Sequence, residues 1–150
     1  MDAYPVADLV GYLSGRWRLD REIVAASGEP LGRFGGTCAF DADGEELVQR
    51  ERGVLDFGAH HGEATRELRF RLTGPGSADV HFDHGGFFHT VDLTSGSWLA
   101  SHPCAEDLYR VEYRVLGADH WRHEWTVRGP SKDHVIFSAF RRDQGLPSTG

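Results

Sequence analysis

The stretch Leu13-Ser14-Gly15-Arg16-Trp17-Arg18-Leu19 decides the fold. Ahead of it, Val6, Leu9, Val10 and Leu13 are spaced i, i+3, i+4 and i+7, the apolar stripe of a helix. Pro5 suits the first turn of such a helix, where its missing N–H has no partner to lose. Gly15 stops the helix. From Trp17 the period falls to two: Trp17, Leu19, Arg21 and Ile23 alternate with Arg18, Asp20 and Glu22. The period stays at two for the rest of the chain.

Successive runs repeat this alternation, separated by turn chemistry such as Asp41-Ala42-Asp43-Gly44, Gly117-Ala118-Asp119 and Gly129-Pro130-Ser131-Lys132. One face carries Phe34, Cys38 and Phe40; then Leu47, Gln49, Glu51, Gly53, Leu55 and Phe57; then Ala64, Arg66, Leu68, Phe70 and Leu72. Further on, the set is Phe87, His89, Val91 and Leu93; Trp98, Ala100 and His102; Tyr109, Val111, Tyr113 and Val115; and Trp121, His123, Trp125 and Val127. About ten strands at hairpin spacing predict an all-β, antiparallel barrel with a short N-terminal helix plugging one end. Residues 1–143 are expected to form a single domain, with 144–150 a flexible tail rich in Gly and Pro.

Composition narrows the function. The net charge of -7, with no basic block, argues against nucleic acid and anionic membranes as partners. Lys132 is the only lysine; arginine supplies every other cation. No apolar run reaches the length of a membrane span, and the N-terminus lacks a signal-peptide core, so a cytoplasmic location is expected. Cys38 and Cys104 are too few for a disulfide framework, and both thiols are expected free. A homodimer is left open.

Two resemblances follow from motifs. Gly15-Arg16-Trp17, with Arg141-Arg142 closing the last strand, resembles the calycin pattern of lipocalins and fatty-acid-binding proteins. There a last-strand arginine packs over the first-strand tryptophan; either Arg141 or Arg142 could do so here. Gly86-Phe87-Phe88-His89, His102-Pro103-Cys104-Ala105-Glu106-Asp107-Leu108-Tyr109 and the run Trp121 to Asp133 resemble a family of small bacterial proteins with a lipocalin-like domain of unknown function. The Leu-Ser-Gly-x-Trp start is also similar to nitrobindin-type haem barrels, whose last-strand histidine holds the iron; His134 does not fall cleanly on that position.

The inward face carries polar residues that a plain core would avoid: Arg21, Gln49, Glu51, Arg66, His89, His102, Tyr109, Tyr113 and His123. Charges there must pair or line a wet cavity. His89, His102, Tyr109 and His123 lie on four consecutive strands and become neighbours if the register allows. Alone, each histidine is by default a hydrogen-bonded core residue. No short metal-ligand spacing is present, so no metal is expected. Cys104 beside His102 could be a nucleophile, but no oxyanion-hole motif accompanies it, and a small buried hydrophobe is the simpler role.

The sequence therefore predicts binding of a small, largely apolar molecule inside the barrel. Arg21, Arg66, Phe87, His89, His102, Tyr109, Tyr113, Trp121, His123 and Trp125 are its candidate contacts. The alternative is a small enzyme in which His89, His102 or His123 works with Glu51 or Tyr109 in acid–base chemistry. Haem binding of the nitrobindin kind is a third reading, and no other cofactor is expected.

Overall fold

The computed structural model describes residues 3–104 and 106–143, and of Cys104 only the backbone. The Cys104 thiol and the tail from Gln144 lie outside the described residues. One helix, α1 (Leu9–Leu13), precedes ten strands: β1 (Gly15–Ala25), β2 (Pro30–Asp43), β3 (Glu46–Phe57), β4 (His60–Gly74), β5 (Ser77–Phe82), β6 (Phe87–Asp92), β7 (Ser97–Cys104), β8 (Asp107–Gly117), β9 (His120–Arg128) and β10 (Asp133–Arg142). All ladders are antiparallel, and the strands follow the order β6-β5-β4-β3-β2-β1-β10-β9-β8-β7. Every ladder joins sequence neighbours except β1–β10, which brings the two ends of the chain together. The two outermost strands, β6 and β7, pack against each other without a ladder. Across that seam the Trp98 indole N–H donates to the Thr90 carbonyl at 2.8 Å.

Helix α1 is shorter than the sequence stripe predicts, and Pro5 lies outside it. Asp8 is the N-cap, its carboxylate accepting from the Gly11 amide at 3.0 Å. Upstream, the amides of Tyr4 and Val6 are already bonded to the carbonyls of Val115 and Leu93, so that segment crosses the barrel end in extended form. Val6, Leu9 and Leu13 are buried there against Trp17, Phe40, Leu47, Phe70, Val115, Trp121 and Phe140. Gly15 makes the helix-to-strand switch at φ +110°, a conformation that residues with a Cβ rarely adopt. On β2 and β3, Gly36 and Gly53 are paired, and a Cβ on either would collide with the backbone of the facing strand. These glycines let the sheet bend sharply at that point.

Arg142 settles the choice between the two last-strand arginines, because it is the residue paired with Trp17. Its guanidinium carbon lies 3.9 Å from the Trp17 ring centroid. Its N–H groups donate to the carbonyls of Tyr12 at 2.8 Å and Ser14 at 3.1 Å. Trp17 itself is fully buried, and its indole N–H donates to the Leu13 carbonyl at 2.8 Å. Outside, arginines pair across strands with acids, as in Arg50–Glu67 at 3.0 Å and Arg71–Glu46 at 2.9 Å. Exposed pairs of this kind contribute little each. Among the described residues, no helix is long and apolar enough to cross a membrane.

Candidate functional site

One end of the barrel is filled by α1 and the aromatic core. The other end holds the polar residues. Midway down, Arg21 of β1 and Glu51 of β3 meet in a bidentate pair, both bonds at 2.9 Å. Their side chains are only 12% and 3% exposed. Ser138 accepts from Arg21 Nε at 2.7 Å, and Gln49 donates to Glu51 at 3.1 Å. Burial alone would push the Glu51 carboxyl up, but the Arg21 hydrogen bonds and charge, the Arg66 charge and Gln49 hold it below the usual carboxylate range. The sequence offers Glu51, or else Tyr109, as the partner of an imidazole; the structure gives the Glu51 carboxylate to Arg21 and Gln49. Tyr109 takes its bond from Lys132 at 3.3 Å.

The histidine cluster splits into two levels. Deeper, Tyr113 is paired with His123 on β9, and its hydroxyl lies 3.4 Å from His89 Nε2. His89 Nδ1 lies 2.9 Å from the Thr90 carbonyl, which can only accept. The proton is therefore on Nδ1, and Nε2 accepts from Tyr113. Nearer the mouth, His102 pairs with Tyr109, and its ring meets Phe88 edge-on at 5.6 Å. His123 Nδ1 is buried and makes no hydrogen bond to another described residue; its only bonding is a weak one to its own backbone. Buried polar atoms are usually satisfied, so this one marks an unfilled position.

Both deep imidazoles are neutral. Burial pulls His89 down to about 4, with the Arg66 and His102 charges adding to the effect against the Thr90 bond. Burial, Arg21 and Arg66 pull His123 well below its ordinary value. For His89 the unfolded chain takes up its proton near pH 6.5 and the folded one only near 4, so the folded state loses stability as pH falls through that window. The loss expected from His89 is about 3 kcal/mol by pH 4. Urea denaturation between pH 7 and 4 should show this slope in the wild type and a flatter one in His89→Gln; equal slopes would contradict it.

Phe87 corrects the sequence expectation. It is 51% exposed and faces outward, its ring against His81. Val80 pairs with His89 but His81 pairs with Phe87, so Phe88 is an extra residue in the ladder. That bulge turns Phe88 inward beside His89. Its ring stacks on Trp125 at 4.9 Å and on Phe82 at 4.4 Å. Trp121, by contrast, belongs to the closed end, stacked on Phe140 at 3.8 Å, with its indole N–H also unpartnered among the described residues. His134 is half-buried on β10, paired with Val127 at the mouth.

Two cavity lobes open in the mouth half. One, of about 110 Å³, lies among Arg21, Arg66, Phe88, Tyr109, His123, Trp125, Val127 and Ile136. The other, of about 220 Å³, is bounded by Arg21, Ile23, Phe34, Glu51, Leu55, Ala64, Thr65 and Arg66. Arg66 borders both. It is paired in register with Glu51, yet no hydrogen bond or ion pair joins its guanidinium to another described residue. The Arg66 side chain stands in the barrel mouth, exposed to solvent. No group of His, Cys, Asp and Glu among the described residues is arranged to hold a metal.

The same architecture occurs in solved structures. An S-type phycobiliprotein lyase from Guillardia theta superposes with a TM-score of 0.68 at 9% identity, over 95% of each chain. The protein Rv2717c from M. tuberculosis gives 0.58 at 11% identity, over 95% of this chain and 100% of that one. A de novo designed fluorescence-activating β-barrel gives 0.50 at 13% identity, over 91% of this chain and 98% of that one. At such identities the likeness is one of fold. No curated protein matches the sequence. A family does match from the end of α1 to the last residue of β10: over residues 13–142 this chain belongs to DUF6314, a family of unknown function.

Proposed function

We propose that this protein binds a small, largely apolar molecule in the mouth half of its barrel. The observation that carries this is the pair of lobes around Arg66. Phe34, Leu55, Phe88, Trp125 and Ile136 wall them, and the protein's own side chains leave them unfilled. Apolar walls with a few converging polar groups are the usual make-up of a ligand pocket. A barrel of this girth has room for one small ligand. A phycobiliprotein lyase and a fluorescence-activating barrel share the architecture, which supports the reading at the level of fold.

Native mass spectrometry of the purified protein, beside its denatured mass, tests for a retained ligand. A titration with the uncharged dye N-phenyl-1-naphthylamine tests the cavity directly. Saturable binding is expected, and Ile136→Trp, which fills the smaller lobe, should weaken it at least about tenfold without lowering Tm. A wild-type protein with no retained mass and no saturable dye binding would sink the proposal.

A further inference from the structure

We infer that the ligand is a small carboxylic acid, held by its carboxylate on Arg66 with its apolar body against Phe88 and Trp125. This deepens the binding proposed above and rests on it.

The first support is charge. Among the described inward groups of the mid-barrel, Arg21 and Arg66 are cations and Glu51 is the sole anion. Glu51 hydrogen-bonds to Arg21 with both oxygens, and the two arginines against one carboxylate leave positive charge in excess at the cavity of a chain whose net charge is -7. Exposed at the mouth, Arg66 carries its charge where it attracts an entering anion. A monoanion would bring the interior to neutrality; a dianion would overshoot.

The second support is the orphaned imidazole. His123 Nδ1 makes no hydrogen bond to another described residue, and His123 borders the same lobe as Arg66. A guanidinium fork takes a planar carboxylate with two parallel N–H donors. A neutral imidazole nearby offers a further hydrogen bond to the polar end of the ligand.

The third support is size. The lobes of about 110 and 220 Å³ together hold about ten water-sized groups, enough for a short-chain or single-ring acid. Rings of Phe88 and Trp125, parallel to within 3°, present an aromatic wall to that body.

Calorimetric titration with 4-phenylbutyrate and with its uncharged amide separates the possibilities. The wild type should bind the acid about tenfold or more tighter than the amide. Arg66→Gln should erase that preference and leave the amide within about threefold of its wild-type affinity. Arg66 makes no hydrogen bond or ion pair to another described residue and acts on Glu51 only through its charge, so the variant should lose little Tm in the absence of ligand. Equal wild-type affinity for acid and amide would overturn the carboxylate assignment and leave the apolar-ligand proposal standing. So would a variant that loses as much Tm as Glu51→Gln, since the main work of Arg66 would then be to serve Glu51. Binding of neither probe would overturn both.

Discussion

Glu51→Gln is expected to cost about 3–5 kcal/mol of stability at pH 7. The substitution keeps the shape of the side chain and removes its charge. Arg21 then stays in the barrel interior, only 12% exposed, without the carboxylate that neutralises it. Arg66 lies on the strand next to Glu51 and adds repulsion. The cost arises from stranding a charge, since a buried ion pair as a whole contributes little beyond what apolar residues of the same volume would supply. The double variant Arg21→Met/Glu51→Leu should therefore recover most of the loss. Urea denaturation of the wild type and both variants checks this; a single variant within about 1 kcal/mol of the wild type would contradict it.

The pair also has a pH signature. The Glu51 carboxyl is held below the usual carboxylate range in the folded protein. The unfolded state therefore takes up its proton first as pH falls. The stability due to the pair is complete above about 4.5 and is lost below it, down through the lowered folded value. That window lies below most of the His89 window, so stability should fall in two overlapping stages as pH is lowered.

Trp17→Ala is expected to cost about as much, roughly 3–5 kcal/mol. The ring is fully buried, edge-on to Trp121 at 6.1 Å and tilted against Tyr12 at 5.6 Å. Its removal leaves a cavity at the plugged end, an unpaired Leu13 carbonyl and an arginine whose aromatic platform has gone. Arg142→Met, which spares the core, should lose less, about 1–2 kcal/mol. Thermal denaturation ranks the two, and a larger loss for Arg142→Met would place the closure of the barrel end in the arginine.

The strand alternation was legible in the sequence because it depends on local parity, and the packing of a last-strand arginine on Trp17 was what the resemblance to calycins implied. Which arginine caps the ring was not legible, since Arg141 and Arg142 are adjacent and only the pairing of β1 with β10 selects Arg142. Parity also failed at Phe87. A single extra residue at Phe88 exchanges inward and outward positions, and the doubled phenylalanine after Gly85-Gly86 was the one hint of it. Glu51, Arg21 and Arg66 could be assigned to the inward face from alternation. Their partners could not, because a carboxylate beside one arginine and across from another can go to either. Here it goes to Arg21 two strands along the wall in place of Arg66 on the adjacent strand, and the unpaired guanidinium follows from that choice.

The unladdered contact between β6 and β7 gives the molecule an adjustable girth. Every other neighbouring pair of strands is stitched by a series of backbone bonds, and widening the wall there would break them together. At β6 and β7 the attachment among the described residues is side-chain packing plus the bond from Trp98 to Thr90. Parting these strands by the breadth of a ring would forfeit that bond, on the order of 1 kcal/mol. His89 and Phe88 on β6 and His102 on β7 border this slack line. For the binding proposed above, this line is where a guest somewhat wider than the resting lobes would be accommodated, with the other ladders left intact.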